Sequence, residues 1–198
     1  MSGSTATKGN GQSASLFVKR CLIGAGISFV GTAAICILLY PEVFQHYEYG
    51  VSYFGSVSST YIPYYFGFGI TIILTALIGW RLRLIKKSLS MFFYAFAACM
   101  TGVAVTSYSL NHTVYATHWG FAIALTICIL ATIWWLIKQG GLARFDYILI
   151  VLIVTTVIIS ALPIVHSIPG VRVYIPRELI VFVCSLWLLG RAALKASA

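Results

Sequence analysis

The chain has 198 residues, 60% of them hydrophobic and only 9% charged, with a formal net charge of +9. A water-soluble domain carries about 25% charged residues, so this composition cannot cover a water-facing surface and excludes an ordinary soluble fold. In a soluble protein the positive charge would suggest nucleic acid, but here the Lys and Arg fall where membrane topology requires them, which argues against that partner.

Residues 1–15 are mostly Ser, Gly, Thr and Ala without apolar periodicity, and predict a disordered cytoplasmic tail. Lys19 and Arg20 then precede the apolar run Cys21–Tyr40. That run is longer than the roughly 7–15-residue core of a signal peptide, so it reads as a retained first span. A spanning helix needs about 20 mostly apolar residues. On that measure the spans fall at about 20–40, 61–80, 89–109, 119–137, 147–165 and 176–190. The predicted fold is all-α, a six-transmembrane-helix bundle forming one domain over residues 16–198, with a long cap loop at 41–60.

Charge asymmetry sets the expected orientation. Lys8, Lys19, Arg20, Arg81, Arg83, Lys86, Lys87, Lys138, Arg144, Arg191 and Lys195 would share one side, leaving Arg172 and Arg177 on the other. The positive-inside rule then predicts cytoplasmic N- and C-termini. The chain is expected in a cell membrane: the plasma or inner membrane, or an endomembrane in a eukaryote. Cys21, Cys36, Cys99, Cys128 and Cys184 all lie in apolar stretches without a C-x-x-C, which reads as packing rather than redox chemistry.

Lipid gives helices no hydrophobic reason to associate, so close contact depends on small side chains. Gly24, Ser28, Thr32 and Cys36 form such a row, as do Gly67, Thr71, Thr75 and Gly79 in the second span. Gly120, Ala124, Cys128 and Thr132 repeat it in the fourth, and Ala98, Gly102 and Thr106 form a shorter version in the third. These rows predict a tight bundle of spans 1–4, with the Ile-, Val- and Leu-rich spans 5 and 6 facing lipid. Such faces also suit association of two copies.

The outer end collects the reactive side chains. His46, His112, His118 and His166 all fall there, with Glu42, Glu48, Glu178, Arg172 and Arg177, while Asp146 lies at the inner end. Three readings stay open: a solvated polar interface, a site for a lipid headgroup or small ligand, and a zinc site built from His46, His112, His118 and His166. No HExxH or HxxxH spacing supports the last, so no cofactor is required by the sequence. Thr117 is a candidate helix N-cap before His118. The span centres hold no charge, which argues against an ion-coupled transporter. The absence of G-x-S-G argues against a rhomboid-type protease.

The layout resembles the six-span group that includes the damage-regulated autophagy modulators, the Frag and Sfk proteins and small bacterial relatives. Its marks are a long first outer loop with a Ser-acid-x-Gly motif and a His at the outer start of span 4. Here these would be Ser52-Tyr53-Phe54-Gly55, with Tyr53 where the group carries an acid, and His118. The resemblance implies a non-enzymatic protein of membrane homeostasis, with Ser52, Gly55 and His118 as outer-face positions. Together with the residue reading, it predicts a non-catalytic protein that binds membrane lipid or a small ligand through Glu48, Ser52, Gly55, His118, Arg172, Arg177 and Glu178. A zinc-dependent hydrolase of outer-leaflet lipid and a small-solute permease are the alternatives.

Overall fold

A computed structural model describes residues 5–45, 50–106, 112–161 and 174–197 of the chain. Every regular element among them is helical. Six α-helices follow in order: α1 (Thr5–Leu39), α2 (Tyr61–Leu82), α3 (Lys87–Val105), α4 (His112–Gln139), α5 (Arg144–Ala161) and α6 (Tyr174–Ser197). Two short 3-10 helices, Pro41–Gln45 and Val51–Ser56, join α1 to α2. Five helices, all but α5, contain a stretch long and apolar enough to cross a membrane. At 18 residues, α5 would be about 27 Å long, close to the roughly 30 Å hydrocarbon core of a bilayer.

The surface is that of a membrane-type bundle. Leu38 is 80% exposed, Ile62 77% and Val105 72%. Side chains of this kind face water only at a cost of roughly 1.5–3 kcal/mol each, whereas lipid accepts them. Polar groups within the helices are satisfied locally. The hydroxyls of Thr32, Thr71, Thr75, Thr101, Thr126, Thr132 and Thr156 each donate to the carbonyl four residues earlier, at 2.6–3.0 Å.

The small-residue rows are packing surfaces. Ser28 Oγ donates across to the Gly67 carbonyl at 2.8 Å. A Cβ on Gly67 would overlap the Thr32 side chain, so only glycine lets α1 and α2 approach this closely. Ser90 Oγ donates to the Gly79 carbonyl at 2.7 Å, tying α3 to α2. Gly102 seats the Phe121 ring, tying α3 to α4.

Two packing expectations are corrected. In α6, Phe182, Cys184, Ser185, Leu186, Leu188, Leu189 and Ala193 are all buried. The Phe182 ring stacks on Phe29 of α1 with centroids 3.7 Å apart and lies 5.8 Å from Phe96 of α3. Helix α6 is therefore a core element rather than a lipid-facing one. In α4 the small row is only partly used: Thr132 is buried, but Gly120 is exposed with open space beside it. Lipid is as apolar as Leu, so the composition of a face does not tell whether protein or lipid covers it.

The helix limits also differ from the predicted spans. Helix α1 already runs through residues 5–15, the stretch that composition marks as a tail. Helix α4 starts at His112, so Thr117 lies inside it rather than at its N-cap.

The two ends of the bundle are chemically distinct. One carries the Val51–Ser56 cap and is called the cap end. At the other, basic groups sit over aromatic rings: Arg83 over Trp80, Lys86 over Trp135 and Lys138 over Trp134, at 4.9–5.6 Å. Asp146, buried at the start of α5, accepts from the Ala143 amide at 2.8 Å and from Arg191 Nη1 of α6 at 2.5 and 2.6 Å. The α4–α5 turn that allows this passes through Gly140 and Gly141, both in the left-handed region at φ +69° and +75°.

Candidate functional site

The cap is built from α1 outward. Its second 3-10 helix opens at Gly50 in extended backbone and closes at Val57. Thr60, wholly buried, holds it down: its hydroxyl donates to the Phe54 carbonyl at 2.6 Å. Cys36 of α1 reaches the Thr60 carbonyl through sulfur at 3.9 Å. Within the cap itself, Val51, Ser52, Phe54 and Gly55 are buried.

Two side chains from distant helices meet this cap. His118, in the second turn of α4, places Nε2 3.0 Å from Ser52 Oγ, and both residues are buried. Its other nitrogen, Nδ1, lies 3.5 Å from Thr106 Oγ1 at the end of α3. Thr106 spends its own proton on the Gly102 carbonyl at 2.6 Å. The Thr106 hydroxyl is therefore an acceptor for Nδ1–H. This network assigns the proton to Nδ1, which leaves Nε2 as the acceptor for the Ser52 hydroxyl.

Glu178 of α6 makes the second contact. Its Oε2 accepts from the Val51 amide at 2.6 Å. The first amides of a helix lack partners within the helix, and this carboxylate satisfies one. Gly50 is what allows it: a Cβ there would overlap the carboxylate. Glu178 stays exposed at the bundle edge as a residue while its carboxylate joins α6 to the cap. Beneath lies Tyr64 of α2, wholly buried. Among the described residues its hydroxyl has no hydrogen-bond partner.

Of the residues expected from the sequence, Ser52, Gly55, His118 and Glu178 thus gather at the cap, and Arg177 sits half-buried beside Glu178. Glu48, Arg172, His46 and His166 lie outside the described residues, as does the side chain of His112. No group of three His, Cys, Asp or Glu positioned for a metal occurs among the described residues. Both nitrogens of His118 are engaged by protein groups. Sequence reasoning missed Gly50, Val51, Thr60 and Thr106. Val51 acts through its backbone and leaves no side-chain signal, while Thr106 was visible only as a small residue in the α3 row.

Comparison with protein-family models, with curated proteins and with solved structures found no match to this chain.

Proposed function

We propose that the protein is a six-span membrane protein with cytoplasmic termini, whose cap end faces away from the cytoplasm and holds a lipid headgroup or small polar ligand. The observation that carries this reading is the Tyr64 hydroxyl. It is fully buried and has no partner among the described residues. A buried hydroxyl left without a hydrogen bond costs about 1–3 kcal/mol, which a bound polar group would recover. Arg177 and Glu178 place opposite charges on one turn at the same level, a pattern suited to a phosphate-bearing or zwitterionic headgroup.

The likeness to the Frag, Sfk and autophagy-modulator group belongs to this proposal, and with it a role in membrane homeostasis. The contact between Ser52 and His118, the two positions that carry the likeness, supports it.

Native mass spectrometry of the detergent-purified protein tests the reading. A lipid or small molecule should co-purify, and Arg177→Ala, His118→Ala and Tyr64→Phe should each reduce its occupancy. If all three variants retain the wild-type complement of bound molecules, the reading fails.

A further inference from the structure

Ser52 and His118 are arranged for more than binding. A serine becomes a nucleophile when an adjacent base removes its proton, which requires the two within about 2.6–3.2 Å and the base held in orientation by a third group. The separation here is 3.0 Å. The third group is the α3 terminus: Thr106, its hydroxyl proton committed to Gly102, receives Nδ1–H and leaves the Nε2 lone pair directed at Ser52. The opposite tautomer would present an N–H to Ser52 and could not act as a base.

The surroundings indicate the substrate. Tyr61, Ile62 and Phe66 near the cap end of α2, and Trp119 next to His118, are exposed apolar and aromatic side chains. Aromatic residues of this kind settle at the membrane–water interface, the depth at which the ester carbonyls of lipids lie.

We infer that Ser52 and His118 form a nucleophile–base pair that cleaves carboxylic esters of membrane lipids. Ser52 Oγ attacks the ester carbonyl carbon while His118 Nε2 takes the hydroxyl proton. The acyl carbon–oxygen bond to the alcohol then breaks, and the alcohol leaves with the proton returned by His118. Water, deprotonated by His118, next attacks the acyl-Ser52 carbonyl. The carboxylic acid departs and Ser52 recovers its proton. Thr106 is a positioning residue. The inference rests on the membrane placement proposed above and not on the headgroup reading, since a bound lipid need not be cleaved.

The test is covalent labelling of the full chain in detergent micelles with a long-chain alkyl fluorophosphonate. Ser52 Oγ would bond to phosphorus with loss of HF. Peptide mapping should place the adduct on Ser52 of the wild type. Ser52→Ala should abolish it, and His118→Gln should slow it by about 10²–10⁴-fold, the usual contribution of a general base. Micelles of a long-chain p-nitrophenyl ester should be hydrolysed faster than p-nitrophenyl acetate. Wild-type protein with an intact thermal transition that carries no adduct on Ser52 overturns the inference, as does equal labelling of a folded His118→Gln variant. The wild-type mapping requires no variant to fold. Lipid co-purification that persists without labelling would separate failure of this inference from failure of the binding reading.

Discussion

The Ser52 hydroxyl lies 3.0 Å from His118 Nε2, although the two are 66 positions apart in the chain with helices α2 and α3 between them. The contact joins the cap to α4, and through Thr106 to the end of α3. The contact of Val51 with Glu178 likewise ties the cap to a helix beyond its own α1–α2 connection.

Glu178→Ala should loosen the cap without unfolding the bundle. It removes a charge-assisted bond to the Val51 amide, worth about 1–2 kcal/mol at this partly exposed site. Hydrogen exchange should show faster exchange at Val51 and its neighbours and little change in α1 or α3. Glu178→Gln keeps an acceptor and should show a smaller effect. Unchanged protection of the cap in Glu178→Ala would contradict the latch.

Gly67→Ala should destabilise the α1–α2 contact by about 1–3 kcal/mol, the usual cost of overpacking. Because the clash is with Thr32, Thr32→Ala should relieve part of it, and the two substitutions should be non-additive in thermal unfolding. Additive effects would show that Gly67 acts otherwise.

Asp146→Ala should cost about 2 kcal/mol, since it leaves the Ala143 amide and Arg191 without their acceptor. Arg191 is partly exposed and can turn to water, which keeps the loss below that of a fully buried pair. A double variant with Leu at both positions should recover part of the loss, because apolar replacement of such a pair is often neutral. A double variant no more stable than Asp146→Ala would show that the pair does more than join α5 to α6.

The proposed orientation predicts accessibility. A cysteine at Ser58, exposed at the cap, should react with a membrane-impermeant maleimide on intact cells, and one at Gln139 only after permeabilisation. The five native cysteines are buried or half-buried in helices and should give little background. Labelling of Gln139→Cys on intact cells would reverse the topology.

Sequence patterning alone determined the helical, membrane-type character of the chain, because about 20 apolar residues in a row have few other uses. It also marked Gly67 and Thr32 as close-packing positions. Ser52, His118 and Glu178 were legible as candidates, since polar groups bordering apolar runs stand out. Tertiary structure alone decided which of them meet. The partner of Glu178 is a backbone amide, and every residue but proline carries one, so no sequence signal could select Val51. The tautomer of His118 depends on a proton that Thr106 commits elsewhere, a relation among three helices. The central place of α6 was likewise invisible: Phe182 is as apolar facing Phe29 as facing lipid, and only packing shows which it does.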